Sequence, residues 1–242
     1  MIDLLHGDCL ELMKSIPSGS IDAIITDPPY GTTACKWDSV IDFDLMWEQL
    51  NRIIKPNGAI VLFGSEPFSS ALRMSNIKNY KYDWIWEKEQ GANFATSNKQ
   101  PLRKHEIISV FYKKQPYYNS TGEKYDKPKT IKRTDNTKSL SSKNDSKPLL
   151  ESTYTHKKKH SIIEIIKGKN TLHPTQKPVA LMEYLIKTYT NEDETVLDFT
   201  MGSGSTLVAC QNLNRNGIGI EQDETYFKIA QDRIKENGYK LF

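Results

Sequence analysis

Short apolar runs alternate with segments of helical periodicity along most of the chain. Strands are predicted where apolar and β-branched residues run together, at 4–5, 21–26, 59–63, 82–86, 107–112, 195–198 and 217–221. Helices are predicted where apolar residues recur at three- and four-residue spacing, at 43–54, 66–76, 179–189, 205–212 and 224–237. This alternation indicates an α/β fold with a mostly parallel sheet that helices cover on both faces.

Proline and glycine mark two of the predicted element boundaries. Lys55-Pro56-Asn57-Gly58 is predicted to end the helix at 43–54, because proline cannot continue a helix and glycine commonly ends one. Pro178 is predicted at the first helical position before 179–189. Ligands of such sheets bind at the carboxyl ends of the strands, so the residues around Thr26, Asp198 and Glu221 become candidates for a site.

The regular pattern breaks down from residue 113 to about residue 170, where Lys, Ser, Thr, Asn and Tyr dominate. Residues 113–160 contain 13 Lys and Arg against 5 Asp and Glu, although the whole chain has a net charge of only +3. An inserted basic region at 113–170 is therefore predicted between two parts of one domain, 1–112 and 171–242, with a polyanion as its partner. A solvated, partly disordered loop explains the charge equally well.

Composition places the chain among ordinary globular proteins. It has 242 residues, of which 37% are hydrophobic and 26% charged. No transmembrane helix is expected because no apolar run is long enough, and the early acidic residues argue against a signal peptide. Cys9, Cys35 and Cys210 are scattered, which predicts reduced thiols in a cytoplasmic protein and no metal site.

A glycine loop, Asp198-Phe-Thr-Met-Gly202-Ser-Gly204-Ser-Thr206, follows one predicted strand and opens a helix. Its glycines let the backbone pass close to a ligand, and the helix start offers unpaired N–H groups. It lacks the lysine of a nucleotide-binding P-loop, and Leu207 stands where a dinucleotide fingerprint has its third glycine. A plain tight turn would explain the loop by itself.

Two acidic residues make an adenosine-type ligand more plausible. Glu221 ends the strand after the glycine loop, about 20 residues on, where an acid can bind both ribose hydroxyls. Asp8 follows the first short strand and can accept a hydrogen bond from an adenine amino group. A helix-capping role is the alternative for each, and for Asp8 both roles can coexist. S-adenosylmethionine is an adenosine ligand without a pyrophosphate and fits this description.

The tetrapeptide Asp27-Pro28-Pro29-Tyr30 follows another apolar strand. Two prolines stiffen the loop and fix the Asp27 carboxylate and the Pro28 carbonyl as neighbouring acceptors. Acceptors for both hydrogens of an exocyclic base amine favour a more pyramidal nitrogen, which frees its lone pair to attack a sulfonium methyl group. Tyr30 offers a flat face for a flipped base. The alternative is a simple turn with a packed tyrosine.

In their order, these motifs resemble the β class of amino-methylating DNA methyltransferases, in which the catalytic motif precedes the cofactor-binding glycine loop. The order is Gly7-Asp8, Asp27 to Tyr30, the basic region, His173-Pro-Thr-Gln-Lys-Pro178, Asp198 to Thr206, and Glu221. The resemblance implies a Rossmann-like, seven-stranded methyltransferase sheet in circularly permuted order, with 113–170 as an inserted target-recognition region. It also implies S-adenosylmethionine as cofactor and S-adenosylhomocysteine as product.

The resemblance assigns residues to three groups. Catalysis is assigned to Asp27, Pro28, Pro29 and Tyr30. Thr175 and Lys177 are candidates for the carboxylate at the methionine end of the cofactor, with a generic surface lysine as the alternative for Lys177. The full cofactor set is Asp8, Cys9, Asp27, Thr175, Lys177, Asp198, Phe199, Gly202, Ser203, Gly204, Ser205, Thr206 and Glu221. Trp86 and Lys88 resemble a motif that borders the target-base pocket, unless they are a buried tryptophan and a surface lysine.

Asp27 favours adenine N6 as the target, because relatives that act on cytosine N4 more often have serine there; cytosine is the alternative. One departure from the family is Phe199-Thr200, where a proline usually follows the aspartate. Methylation of a protein amide or an RNA base is a second reading, against which the motif order and the basic region argue. A catalytically silent DNA-binding protein is a third.

Double-stranded DNA is the predicted partner. Lys36, Trp37, Lys88, Lys157, Lys158 and Lys159 are the predicted DNA-binding residues. Residues 31–38 are predicted to form a lid over the target base. Tyr117, Tyr118, Tyr125 and Tyr154 lie among the lysines, where they would stack on bases or form the core of a small lobe. A homodimer and a cognate restriction endonuclease are both compatible with the sequence, as are a bacterial and a phage origin.

Overall fold

A computed structural model describes residues 1–31, 39–92, 94, 97–133, 150–166 and 176–238. Most of the predicted lid, including Lys36 and Trp37, lies outside the described residues, as do His173 and Thr175. The chain divides into two compact units. The larger unit comprises Met1–Asn119 and Ser161–Phe242, and the smaller unit comprises Ser120–His160.

The described residues contain ten strands and six helices, numbered in chain order. The strands are β1 (Ile2–His6), β2 (Ile21–Thr26), β3 (Ile54–Gly64), β4 (Tyr80–Ala92), β5 (Arg103–Phe111), β6 (Thr121–Arg133), β7 (Leu150–Lys158), β8 (Ile162–Glu164), β9 (Thr195–Asp198) and β10 (Asn216–Glu221). The helices are α1 (Cys9–Met13), α2 (Phe43–Ile53), α3 (Phe68–Ser75), α4 (Val179–Tyr189), α5 (Ser205–Asn212) and α6 (Glu224–Glu236). None of these helices is long and apolar enough to cross a membrane.

The larger unit is built on one mixed sheet with the strand order β1-β10-β9-β2-β3-β5-β4-β8. The first five strands in this order are parallel, and β5 is antiparallel to both β3 and β4. The predicted α/β fold with a mostly parallel sheet is therefore confirmed. The three-residue strand β8 pairs with β4 and adds an eighth strand, among the described residues, to the seven expected. The circular permutation stays a prediction.

Two hydrophobic clusters fill the space between this sheet and its helices. Along β2, successive side chains point to opposite faces, as the pleat of a strand requires. Ala23 and Ile25 therefore belong to the cluster beneath α4, α5 and α6, whereas Ile24 belongs to the cluster beneath α1, α2 and α3. Burial on both faces explains why the middle of β2, from Ala23 to Ile25, is apolar without polar alternation.

Tertiary pairing lengthened several strands beyond their apolar runs. β3 begins at Ile54 and includes the Lys55–Gly58 segment that was predicted to be a stop. The cause is the pairing of Ile54 with Ile21, followed by a register shift before Ala59 pairs with Ala23. The stop prediction was right for the helix, which ends at Ile53, and wrong for the residues after it.

The smaller unit is an antiparallel ribbon of β6 and β7, paired from Thr121 opposite Lys158 to Arg133 opposite Leu150. It is shorter than the predicted insertion at 113–170. Asn119 N–H donates to the Thr188 carbonyl oxygen at 2.9 Å, and β8 pairs with β4, so both flanks belong to the larger unit. The sequence of β6 and β7 is too polar to show the apolar alternation that predicts a strand, so this long-range pairing could not be predicted from it. The role of the ribbon in target recognition stays a prediction.

Candidate active site

The loops that follow β2, β9 and β10 enclose a cavity of about 480 Å³. Because these strands are parallel neighbours, their carboxyl ends meet at one edge of the sheet. The volume is typical of a small-molecule site. Most of the predicted catalytic and cofactor residues line it, namely Asp8, Cys9, Asp27, Pro28, Pro29, Tyr30, Lys177, Asp198, Phe199, Gly202, Ser203, Ser205, Thr206 and Glu221.

The Asp27 carboxylate is held from two sides. The Tyr30 hydroxyl donates a hydrogen bond to Oδ1, and the Lys177 ammonium donates one to Oδ2. The Thr200 hydroxyl donates to the backbone carbonyl oxygen of Asp27 at 3.1 Å. This last contact joins the catalytic loop to the glycine loop through a residue at which the sequence departs from the family pattern.

Burial raises the pKa of Asp27, and the ammonium of Lys177 opposes this effect. The side chain of Lys177 is only 8% exposed, and its Nζ lies 5.1 Å from the centre of the Phe63 ring. The alternative interpretation of Lys177 as a generic surface lysine is therefore wrong. Its contact with the cofactor stays a prediction, since the structure pairs it with carboxylates of the protein.

The Tyr30 ring stacks on the Phe68 ring, with centroids 5.0 Å apart and an angle of 30° between the planes. Phe68 is buried at the start of α3. The tyrosine is thus fixed from behind by an aromatic side chain and from its hydroxyl end by Asp27. Such fixing is what a stacking platform for a base requires.

The glycine loop depends on two glycines with left-handed backbone. Gly202 has φ 51° and Gly204 has φ 77°, conformations that L residues with a side chain rarely adopt. Gly204 is the N-cap of α5, and a Cβ there would lie 3.1 Å from the Cβ of Ala230 on α6. The loop is a tight turn that passes directly under α6, and it also lines the cavity.

Glu221 organises this turn as well as lining the cavity. Its Oε2 accepts from Gly202 N–H at 2.9 Å, and its Oε1 accepts from Asp223 N–H at 2.8 Å. The N-cap of α6 is Asp223, whose carboxylate accepts from the N–H groups of Thr225 and Tyr226. The helix-capping alternative for Glu221 is therefore wrong. Burial raises the pKa of its carboxyl group. Its contact with a ribose stays a prediction.

Asp198 ties three segments together. Its carboxylate accepts the hydroxyls of Thr26 and Thr206, each at 2.5 Å, and the N–H of Thr200 at 3.2 Å. Burial nevertheless raises its pKa to about 6. The end of β2, the glycine loop and the first turn of α5 thus meet at one buried carboxylate.

Asp8 has the capping role that was one of its two predicted roles. It is the N-cap of α1, and its carboxylate accepts from Glu11 N–H at 3.1 Å. It also lines the cavity, so the contact with an adenine amino group stays a prediction. Burial raises the pKa of the neighbouring Cys9 to about 12, which keeps its thiol neutral.

Of the residues predicted to contact DNA or to border the target-base pocket, the structure describes Trp86, Lys88, Lys157, Lys158 and Lys159. Trp86 is buried and donates from Nε1 to the Ile165 carbonyl oxygen at 2.9 Å, as the alternative for it expected. Lys88 Nζ donates to Glu106 Oε1 at 3.1 Å and its side chain is 21% exposed, and its place at the target-base pocket stays a prediction. The three remaining described lysines, Lys157, Lys158 and Lys159, belong to the smaller unit.

Within the smaller unit, Lys157 and Lys158 are exposed, and Lys158 Nζ donates to Ser120 Oγ at 3.0 Å. Burial lowers the pKa of Lys159 to about 8. Tyr125 and Tyr154 are half-buried there. The rings of Tyr118 and Tyr189 lie 6.1 Å apart within the larger unit, so Tyr118 is not part of a separate lobe.

Glu106 is an acidic residue of this region that the sequence analysis missed. It opens the apolar part of β5, and β5 runs antiparallel to β3, so its beginning lies at the cavity edge of the sheet. An acid at the start of an apolar strand was the available signal, but the strand direction was needed to use it. In the described part of the chain, no group of three His, Cys, Asp or Glu is arranged to hold a metal ion.

Comparison with known proteins gives one family and several similar chains. The family model described as DNA methylase matches residues 21–232. The type II methyltransferase M.HpaI of Haemophilus parainfluenzae is 29% identical over 98% of this chain and 76% of its own length. The DNA adenine methyltransferase YhdJ of Escherichia coli K12 is 27% identical over 96% of this chain and 82% of its own. The crystal structure of an M1.HpyAVI–SAM complex has a TM-score of 0.64 at 28% identity and covers 96% of this chain and 100% of that chain.

Proposed function

We propose that this chain, which belongs to the DNA methylase family over residues 21–232, transfers a methyl group from S-adenosylmethionine to the N6 amino group of adenine in double-stranded DNA. The observation that carries the proposal is a shared cavity. The Asp27–Tyr30 loop, the glycine loop and Glu221 line the same space at the carboxyl edge of the sheet. An amine acceptor loop and a candidate adenosine site are thus within reach of one another.

The residues present fit S-adenosylmethionine. Glu221 presents a carboxylate to the cavity from a strand end, where it can accept the ribose hydroxyls. Asp8 can accept from the adenine amino group, and the loop at Gly202 allows close approach of the backbone. The crystal structure of M1.HpyAVI, which is 28% identical to this chain, was determined with this cofactor bound. When bound, the cofactor supplies an electrophilic methyl group on a sulfonium sulfur.

The protein's part in the reaction is to prepare the amine. Asp27 and the Pro28 carbonyl accept the two hydrogens of the target amino group and stabilise the positive charge that develops on its nitrogen. The bound cofactor would supply the methyl group, which would bond to this nitrogen as its bond to sulfur breaks. The Asp27 carboxylate, which accepts one of the amine hydrogens, is placed to take the proton that the nitrogen would then lose. S-adenosylhomocysteine and N6-methyladenine are the products.

The target base must leave the DNA stack to reach Asp27, at a cost of about a few kcal/mol. Stacking on Tyr30, which Phe68 supports from behind, offsets part of this cost. Phosphate contacts of the basic ribbon formed by β6 and β7 offset more, since such contacts need no particular sequence. The charge of the ribbon supports DNA binding, and we also assign target recognition to it because it is inserted between the two parts of the larger unit.

Adenine is proposed over cytosine for two reasons. Asp27 occupies the position where cytosine-specific relatives more often have serine. YhdJ, which aligns over 96% of this chain, is named as an adenine methyltransferase. We extend the proposal to a bacterial or phage protein that acts in the cytoplasm, where bacterial DNA lies, and to a cognate restriction endonuclease, because M.HpaI is named a type II methyltransferase. A homodimer is included in the proposal, and sedimentation of the purified protein tests it.

Replacement of Asp27 tests the mechanism. We expect Asp27→Ala to lower kcat at least 100-fold, because one preorganised acceptor is lost, while the variant still binds S-adenosylmethionine through the other predicted cofactor residues. Glu106 remains to pair with Lys177 in this variant. Asp22→Ala is the matched control, since it removes a lysine-paired carboxylate from the opposite end of β2. Full activity of Asp27→Ala with normal cofactor binding would overturn the mechanism.

The target base is tested by long-read sequencing of DNA from cells that express the chain. N6-methyladenine at one recurring sequence is the expected result. N4-methylcytosine would reassign the base. In parallel incubations of the protein with methyl-labelled S-adenosylmethionine and DNA, RNA or protein, transfer of the label only to RNA or protein would overturn the proposal as a whole.

A further inference from the structure

Beside the cavity, four charged side chains alternate in sign. Lys88 Nζ lies 3.1 Å from Glu106 Oε1, Glu106 Oε2 lies 3.2 Å from Lys177 Nζ, and Lys177 pairs with Asp27. The four side chains are between 8% and 21% exposed. The proposed mechanism uses only the last of them, Asp27.

The sheet brings these residues together from four segments. Asp27 follows β2, and Glu106 lies on β5 at the point where β3, between them, has just ended at Gly64 opposite Ile107. Lys88 comes two residues after Trp86, which pairs with Glu106 across β4 and β5. The Lys177 ammonium spans the gap above the Phe63 ring of β3. It is therefore shared between the catalytic carboxylate and a carboxylate two strands away.

The arrangement is balanced in charge, with two ammonium groups and two carboxylates. Burial alone would lower the pKa of Lys177, but the carboxylates of Asp27 and Glu106 raise it. Burial alone would raise the pKa of Glu106, but the ammonium groups of Lys177 and Lys88 lower it. Both groups thus stay charged, and an unpaired charge at this depth would be costly.

We propose that Glu106 is a positioning residue for methyl transfer, which holds the Lys177 ammonium when the target amine takes hydrogen-bonding capacity from Asp27, with Lys88 anchoring Glu106. The inference rests on the proposed function. Asp27 already accepts from Tyr30 at one oxygen and from Lys177 at the other. The arriving amine competes with these donors for lone pairs. Glu106 Oε2 lies 3.2 Å from the ammonium and accepts no hydrogen bond in the described part of the chain, so it is an available second acceptor. Asp27 can then bind the amine without leaving a buried cation unpaired.

Glu106→Gln removes this second anion while keeping the size of the side chain. The ammonium is then anchored on Asp27 alone, and we expect kcat to fall about tenfold while KM for cofactor and for DNA changes less than about threefold. The matched control is Glu87→Gln, which removes an ion pair with Lys104 from the same two strands without a contact to Asp27. It is expected to retain the wild-type kcat.

The acidic limb of the kcat–pH profile gives a readout that a merely structural role would not move. Asp27 is faced by Lys177, Tyr30, Glu106 and Asp198. Loss of the negative charge in Glu106→Gln lowers the pKa of Asp27, so the limb is expected about one pH unit lower. Lys88→Gln removes a positive charge and should move the limb in the opposite direction. Asp198 is present in every variant and does not change the comparison.

Opposite displacements, with restoration of the limb by Glu106→Asp, would support the proposal. A wild-type kcat and profile in Glu106→Gln would overturn it, as would a rise in KM for DNA in Lys88→Gln without any displacement. If Glu106→Gln does not fold, the displacement in Lys88→Gln decides. Failure of the wild-type protein to methylate adenine would contradict the proposed function instead, and is seen before any variant is made.

Discussion

At the scale of single residues, the site relies on buried carboxylates that keep fixed partners. Asp198 shows this most clearly, because three donors from three segments converge on it. Those hydrogen bonds favour the ionised form, yet burial dominates and raises its pKa to about 6. The residue is only 4% exposed, so solvent does little to reduce this effect.

Asp198 should therefore make stability depend on pH. Its folded-state pKa of about 6 lies above its usual value of 3.8, so the native state binds the proton more tightly. The free energy of unfolding then falls as pH rises from about 4 to about 6, by about 3 kcal/mol. The measurement is urea unfolding of wild type and Asp198→Asn across this range. The free energy of unfolding of the wild type, relative to that of Asp198→Asn, should fall by that amount as pH rises. A relative value that does not depend on pH would contradict the prediction.

At the scale of elements, the glycine loop and α6 are fitted to each other. The φ of 77° at Gly204 turns the chain into α5, and the missing side chain leaves room for Ala230. Arg233, also on α6, donates to the Ser203 carbonyl oxygen, and its Nη1 lies 3.0 Å from Ser203 Oγ. The cofactor loop is thus held by a helix from the far end of the sequence.

Gly204→Ala tests this fit. The left-handed backbone alone costs about 1–2 kcal/mol for alanine, and the close contact with Ala230 should add about 1–2 kcal/mol. Gly19→Ala is the control, since Gly19 has φ 63° and nothing within 4 Å of the added Cβ. Denaturant unfolding of both variants separates the two contributions. Equal destabilisation would mean that the contact with α6 is unimportant.

At the scale of the whole molecule, the proposed active site and the basic ribbon belong to different units. The cavity lies in the larger unit, and the ribbon of β6 and β7 makes up most of the smaller one. Part of the basic segment from residue 113 to residue 160 forms this ribbon, whereas its first residues belong to the larger unit. Affinity for DNA and methyl transfer should therefore respond to substitutions in different parts of the chain.

Lys157 and Lys158 test this separation. We expect the Lys157→Gln/Lys158→Gln double variant to weaken DNA binding equally for all sequences and to reduce the slope of log affinity against log salt by up to about 2. The control replaces Lys228 and Lys235, two exposed lysines of α6, with Gln. Fluorescence anisotropy over a range of salt concentrations measures both. Similar slopes for the two double variants would remove the ribbon from the proposed DNA interface.

The sequence by itself determined the α/β fold, most elements and the residues around the cavity. Val179–Tyr189, Thr195–Asp198 and Ser205–Asn212 are predicted and observed with the same bounds. Pro178 and Gly204 directly precede the two helices, although Pro178 is the N-cap and not the predicted first helical residue, and the strand is a short, largely buried apolar run. The sequence also predicted that the motifs at strand ends lie close together, since parallel strands place their carboxyl ends at one edge of the sheet.

Only the tertiary structure decided which strands pair and which charged side chains meet. Strand pairing over long sequence separations extended β3 through a proline-containing segment and formed the ribbon from a polar sequence. It also placed Lys177, a predicted cofactor ligand, between the carboxylates of Asp27 and Glu106. A periodic pattern reports which face of an element is buried. It cannot report which distant charge will lie opposite, because that depends on strand order and direction.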